Sequence, residues 1–416
     1  MSPLAGVFIQ PVSRLVRVGR IVHAPSIKTI LVLLLLLFRL HGLEVARPFG
    51  SHMVLPHGVS VPLHGKAAPG EIVSVHIGGN EHHTRCQQDG VWRIALPAMA
   101  ASDKPLAMSI RSGEKSLLLD DILIGEVWLC SGQSNMDFPL QRATGGAAEL
   151  STEAPPGLRF FSLTGMPTNA QPFRETDRAR MRPATFFQGS WQVSSTKERG
   201  ALSAIAWWFA CQRTKDTGRP IGIVENAVGG SGTEAWLSPE ILRARSEYAD
   251  LITPKWLDHP QVSAWARQRA RQQIGALRDI SHPFQPGFLY ESGIVWWRDF
   301  PFTGVLWYQG ETNAEINDVV WNARLLEDLM GSWRTGLRHE KLPFFLVELP
   351  RIGGNDPLRR FWPQYREAQQ QAVTRTPLAY RIETKDLGWD SPDVHPPDKK
   401  PIALRLAGEV KRQLPP

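Results

Sequence analysis

Cysteine is scarce in this 416-residue sequence: Cys86, Cys130 and Cys211 are the whole complement. Three scattered thiols build neither a disulfide scaffold nor a CxxC zinc site. At most one bridge forms and one thiol stays free, so cysteine usage leaves the redox compartment open. There is no HExxH, no Cys/His cluster, no Walker loop and no GxGxxG fingerprint, so no metal or nucleotide set competes for the chemistry. Repeats and low-complexity tracts are also missing. With 42% hydrophobic and 21% charged residues, disorder, collagen and coiled coil are excluded. The 47 basic residues outnumber the 40 acidic ones, for a formal charge of +7, but no dense basic run follows residue 50. Nucleic acid is therefore not an expected partner, and the excess reads as a solvated, Arg-rich surface.

Long apolar runs are limited to one. Arg14, Arg17, Arg20 and Lys28 precede Ile30–Phe38, an apolar run of signal-peptide length and too short to cross a bilayer comfortably. Residues 1–46 are expected to be a signal peptide or an N-terminal anchor, with the mature chain beginning between Gly42 and Arg47. Either way the folded part is exported, periplasmic or secreted, and touches a membrane only through this segment if it is uncleaved.

What remains divides into two patterns. From residue 47 to 121, short alternating strands (Val59–Leu63, Ile72–Ile77, Val91–Leu96, Leu106–Ile110) are separated by turn signals such as Pro69-Gly70 and Gly78-Gly79-Asn80, which predicts a small all-β sandwich domain. From residue 122 to 416 the chain becomes α/β. The apolar runs Glu126–Cys130, Ile221–Glu225, Thr303–Tyr308 and Phe344–Val347 each end in small or polar residues and lead toward helical stretches. Continuous apolar runs alternating with helices predict a central parallel sheet covered on both faces, with the chemistry at the carboxyl ends of its strands. Pro401, Ile402, Leu406, Val410 and Leu414 have the spacing of a final helix.

The polar clusters fall at those strand ends. Ser134 follows a strand and is expected to open a helix, where backbone N–H groups favour developing negative charge, although a serine there serves equally as a plain helix cap. Its flanks, Gln133 and Asn135, are not those of a GxSxG elbow. A nucleophilic serine needs a base. Of the four histidines in the α/β region, His259 and His282 stand beside prolines and His339 leads into the amino end of a strand. His395 lies in a loop with Asp393 two residues before it, so an acid and an imidazole are tied together locally, though a solvent-exposed loop histidine reads the same way. Oxyanion donors are available from the backbone at Gly229 or Gly230 and from the side chain of Gln309; alone, each reads equally as a tight turn or a strand-end hydrogen bond.

Ser131-Gly132-Gln133-Ser134-Asn135-Met136, Gly229-Gly230 with Glu234-Ala235-Trp236, Trp307-Tyr308-Gln309-Gly310-Glu311-Thr312-Asn313 and Asp393-Val394-His395-Pro396 resemble the successive blocks of the sialate O-acetylesterase family within the SGNH (GDSL-type) hydrolases. The resemblance extends over nearly the whole mature chain. It implies an SGNH-hydrolase three-layer sandwich preceded by the β domain, and a serine esterase that removes O-acetyl groups from sugars, sialic acids first among them, without a cofactor. Ser134 is then the nucleophile and His395 the base and acid. Asp393 matches the family's DxHP pattern as the orienting acid, with Asp390 and Asp386 as alternatives. Gly229 (or Gly230) and Gln309 form the oxyanion hole, and losing Gln309 then costs on the order of 10²-fold in turnover.

Glu311 and Asn313 either fix the Gln309 loop or touch substrate, and Trp236, Trp307 or Tyr308 are candidates for stacking on a sugar, whereas Trp128 and Trp333 read as core. Two other readings stay open: an acetylesterase for xylan or pectin, and an inactive carbohydrate-binding protein. Oligomeric state is not legible.

Overall fold

The computed structural model describes residues 42–194, 196–253, 255–277 and 279–415. The apolar run Ile30–Phe38, expected in a signal peptide or anchor, lies outside the described residues. Among those that are described, no helix is long and apolar enough to cross a membrane.

The first strands are β1 (Glu44–Val45), β2 (Val54–Pro56), β3 (Val61–Lys66), β4 (Ile72–Ile77), β5 (Asn80–Arg85), β6 (Val91–Leu96), β7 (Ser102–Ser112) and β8 (Lys115–Gly132). β1, β3 and β6 form one antiparallel sheet, while β4 pairs with β5 and β7, and β7 with the first half of β8. Alternation turns Val61 and Leu63, Val73 and Val75, and Trp92 and Leu96 inward, all at 2% exposure or less. The expected all-β segment is therefore present.

β8 then continues for 18 residues, and its burial changes along the way. The first part alternates; from Ile122 to Gly132 every residue is buried. That is the transition from a half-solvated antiparallel strand to a strand covered on both faces, and the boundary expected between residues 121 and 122 falls inside this one strand.

The second half of β8 is the centre of a mixed sheet completed by β9 (Leu158–Ser162), β10 (Trp191–Val193), β11 (Ile221–Ala227), β12 (Gly304–Tyr308), β13 (Phe344–Val347) and β14 (Ala379–Ile382), in the order β10-β9-β11-β8-β12-β13-β14. Only β10, at the edge, runs antiparallel to its neighbour; the other pairs are parallel. The longer helices are α1 (Ala204–Thr217), α2 (Ala264–Ile274), α3 (Val319–Gly336), α4 (Trp362–Arg375) and α5 (Lys400–Gln413).

Helices cover both faces. Trp128 of β8 packs edge-on against Phe209 of α1 at 5.1 Å and lies 6.0 Å from Phe345. Phe344, of opposite parity to Phe345, and Trp307 pack instead on Trp333 of α3, at 5.9 and 5.6 Å. α1 is fastened to the sheet by Arg213, whose guanidinium donates to both carboxylate oxygens of Glu126 at 2.8 and 2.9 Å and to the Leu414 carbonyl at 3.0 Å just beyond α5. Both side chains of that ion pair are at least 98% buried, so each needs the other to offset its desolvation. The final helix appears where proline and apolar spacing place it, and the three cysteines are buried and free.

Candidate active site

The register of the central sheet aligns three strand ends. Ser131 and Gly132 of β8 pair with Asn226 and Ala227 of β11 on one side and with Trp307 and Tyr308 of β12 on the other. The chain leaves β8 toward β9 and β11 in one direction and β12 to β14 in the other, so these ends flank the point where strand order diverges. The loops that follow them carry Ser134, Gly229 and Gln309.

At Gly132 φ is +136°, and an added Cβ would lie 2.0 Å from the Tyr308 carbonyl oxygen, so only glycine lets β8 turn away here. That same carbonyl accepts from the Gln133 N–H at 3.0 Å, and the Gln133 side-chain oxygen accepts from Gly310 and Thr312 N–H at 3.4 Å each. The expectation that Ser134 opens a helix is corrected. It sits in a turn closed by Met136 and Asp137 N–H donating to the Gln133 carbonyl, and the first helical residues downstream are the short turn Leu140–Arg142. Pro139 explains this, since it lacks an N–H and its ring would meet the carbonyl four residues back.

Ser134 Oγ lies 2.8 Å from His395 Nε2, and His395 Nδ1 lies 2.8 Å from Asp393 Oδ1. The carboxylate that meets the imidazole is that of Asp393 and not of the alternatives: Asp386 forms an ion pair with Arg405, and among the described residues no contact ties Asp390 to the imidazole. The Asp393 carboxylate also accepts from the His395 N–H at 3.0 Å, and the Asp393 carbonyl accepts from Trp389 Nε1 at 2.7 Å, so the loop holds its own acid and base in place. With the Asp393 side chain 56% exposed and that of His395 31% exposed, the triad opens to solvent at the surface.

Gly229 is the glycine beside Ser134. A Cβ added there would approach Ser134 Cβ to 3.4 Å, whereas one added at Gly230, with φ +78°, would strike the Trp265 ring at 2.5 Å. The backbone N–H groups of Ser134 and Gly229 meet no acceptor among the described residues. Two free donors beside a serine–histidine pair have the form of an oxyanion hole. Gln309 is placed differently from expectation. Its side chain is fully buried, and its amide donates to Asn313 Oδ1 at 2.6 Å and to the Ser231 carbonyl at 3.2 Å, while its oxygen accepts from Thr233 and Tyr365 hydroxyls. Both amide hydrogens are committed inside the protein, so Gln309 presents no free donor to the pocket.

The expected substrate contacts are corrected as well. Asn313 accepts from the Thr233 N–H at 2.8 Å and donates to buried Glu234, so it supports the loop. Trp236, Trp307 and Tyr308 are 0% exposed. Trp236 donates to Ser231 Oγ and packs among Trp307 and Trp333, which leaves no face for a sugar. Glu311, 2% exposed, accepts from Asn135 Nδ2, and burial pushes its carboxyl above the usual range.

One member of the site escaped the sequence reading. Lys399, 0% exposed at the N-cap of α5, donates to Asn135 Oδ1, and burial lowers its pKa to about 7. In the sequence it stands in Asp398-Lys399-Lys400, which has the look of a solvated charge cluster. The wall beside Gly229 was also unread. Thr168 Oγ1 donates to the Gly229 carbonyl at 2.8 Å, and the Thr168 carbonyl accepts from Arg269 Nη1 at 3.0 Å; Arg269 lies over the Trp265 ring at 4.9 Å and pairs with no carboxylate among the described residues. Among those residues, too, no group of three His, Cys, Asp or Glu side chains is placed to hold a metal ion.

The chain is similar to several known proteins. Residues 280–407, which carry Gln309, Glu311, Asp393, His395 and Lys399, match the family model described as carbohydrate esterase, sialic acid-specific acetylesterase. The chain is similar to the sialate O-acetylesterase of Pongo abelii, at 28% identity over 336 residues, and to that of Homo sapiens, at 27% over 336 residues; each alignment covers 76% of this chain and 59% of the relative. The chain thus spans about three-fifths of the length of the curated relatives it matches. A crystal structure of a carbohydrate acetylesterase from Xanthomonas citri superposes with a TM-score of 0.71 at 26% identity, covering 89% of this chain and 74% of that one. These matches bear out the family resemblance carried by the motifs.

Proposed function

We propose that this chain, which resembles the sialate O-acetylesterases, is a serine esterase of SGNH-hydrolase fold that removes O-acetyl groups from sugars, sialic acids first. The single observation that carries the reading is the Ser134–His395–Asp393 chain, with 2.8 Å at each link and free Ser134 and Gly229 N–H groups beside it. His395 Nε2 takes the Ser134 proton as Oγ bonds to the acetyl carbon, and Asp393 holds the Nδ1–H that fixes the tautomer. The carbonyl oxygen becomes an oxyanion facing the two backbone donors. As the C–O bond to the sugar breaks, His395 returns the proton to the leaving alcohol. Water then attacks the acetyl-serine by the same route and releases acetate. Gln309 acts in this scheme by holding the loop after β12; serving as a third donor would require it to release the long bond to Ser231.

Arg269 favours an acidic sugar over neutral xylan. It brings an unpaired positive charge to the wall that ends at Gly229, where a carboxylate on the sugar could be met by its guanidinium. The open triad agrees with a substrate presented at the end of a glycan. Export of the chain rests on the composition of its first 46 residues alone. The test compares kcat/KM for O-acetylated sialic acid, acetylated xylan and acetylated pectin in wild type and Arg269→Met. Preference for the sialate, with a KM that rises only for that substrate in the variant, supports the reading. Preference for xylan or pectin moves the enzyme to a neutral or uronic glycan, and no acetate from any of them favours a binding protein.

A further inference from the structure

Lys399 is a costly charge to keep. It is fully buried, and it stands at the N-cap of α5, where the helix dipole also disfavours a cation. Around it stand Glu311, Asp393, Asp398 and the Phe138 ring, with the ammonium 4.9 Å from that ring. Its hydrogen bond goes to Asn135 Oδ1, on the residue that follows the nucleophile. With Oδ1 held by the ammonium, the Asn135 amide must turn Nδ2 the other way. There it donates to Glu311 Oε1 and, at 2.8 Å, to the carbonyl of Val394, the residue between Asp393 and His395. Among the described residues Glu311 Oε2 is buried with no hydrogen-bond partner, so the Asn135 amide, the residue's own N–H and the positive charge of Lys399 nearby compensate this carboxylate.

We propose that Lys399 and Glu311 act as a buried clamp that fixes the orientation of the Asn135 amide, and that Asn135 thereby tethers the Asp393–His395 loop to the nucleophile turn through the Val394 carbonyl. All three are positioning residues for the esterase chemistry, and the inference rests on that reading. The loop's other hydrogen bonds beside the imidazole, from Trp389 Nε1 and the His395 N–H to Asp393, lie within the loop itself, whereas the Asn135 bond to the Val394 carbonyl crosses to the nucleophile turn. A loop free to move by about 1 Å loses the near-attack geometry on which proton transfer depends.

The test is the double variant Asn135→Asp with Glu311→Gln. It keeps the acceptor for Lys399, keeps one negative charge opposite one positive, and restores a donor–acceptor pair between positions 135 and 311, but removes the donor to the Val394 carbonyl. Asn135→Asp alone sets two carboxylates face to face and serves as the destabilised control; if it does not fold, the double variant carries the test. Thermal unfolding and the rate at which a fluorophosphonate probe labels Ser134 are read together, the probe being independent of which sugar ester is natural. The expected result is a double variant that still folds and unfolds cooperatively, labelled about 10- to 100-fold more slowly, with a parallel loss in kcat and an unchanged KM. Labelling at the wild-type rate overturns the proposal alone. A wild type that is not labelled at all overturns the esterase reading and takes the proposal with it.

Discussion

Gly229 and Gly230 are neighbours of the same type, and substitution by alanine should separate catalysis from folding. At Gly229 the backbone is not left-handed, and the new methyl would sit 3.4 Å from Ser134 Cβ and 3.5 Å from Thr168 Oγ1, distances that ordinary packing accepts. Stability should then hold or rise by about 0.4–1 kcal/mol, because alanine reduces the freedom of the unfolded chain. The methyl nevertheless stands beside the nucleophile, where the carbonyl oxygen must reach the Gly229 N–H. Alanine keeps the N–H, so the loss comes from the methyl holding the acetyl oxygen off that donor, and it should approach the roughly 10²–10³ in kcat that losing an oxyanion donor costs. At Gly230, with φ +78° and the Trp265 ring 2.5 Å from a new Cβ, the cost falls on folding. The left-handed backbone alone is worth about 1–2 kcal/mol, before Trp265 is displaced. Acetate release and thermal unfolding of both variants supply the assay. A Gly229→Ala enzyme with wild-type kcat would refute the placing of the acetyl group against the new methyl, and with it the approach of the carbonyl oxygen to this N–H.

Three further outcomes follow from the same geometry. Asp393→Asn should lower kcat by about 10²-fold rather than the roughly 10⁴-fold of a buried triad acid, because solvent screens a side chain that is 56% exposed; a full 10⁴-fold loss would contradict that weighting. Trp236→Phe should lower stability by about 1–3 kcal/mol, through lost packing and an unpaired Ser231 hydroxyl, and leave KM untouched, which a rise in KM for any sugar ester would contradict. Lys399 titrates near 7 when folded, below its ordinary 10.5, so between these values the unfolded chain holds a proton that the native chain has released. Stability relative to Lys399→Met should therefore rise as pH goes from 7 to 10.5 and be lost as pH falls back through 7; a flat difference in denaturant unfolding across that window would remove the depressed pKa.

Much of the fold is legible because the elements that carry it obey one rule each. Ile72–Ile77, Val91–Leu96 and Phe344–Val347 are strands with the bounds that their apolar patterns mark. β5 escapes that pattern: Asn80–Arg85 is polar throughout and is a strand only because β4 pairs with it at the sheet's edge. β8 hides its length, since its two halves follow different burial rules on either side of Ile122. At the site, the structure brings together three residues that type and family motif single out: Ser134, His395 and Asp393. Local context misled at Ser134, where Pro139 stops the expected helix. It misled again at Trp236 and Gln309, where tertiary burial decides whether a side chain faces a ligand or the core. Lys399 is the clearest case: nothing in a run of charged and proline residues shows that one ammonium is folded under the nucleophile turn.

Acetate release from O-acetylated sialic acid, measured side by side for wild type and Ser134→Ala, decides whether Ser134 is the nucleophile. Turnover by wild type and none above background in the variant is expected, with both proteins equally folded. Turnover that survives in Ser134→Ala would contradict that role, because the half-buried hydroxyl 2.8 Å from His395 would then not be the nucleophile.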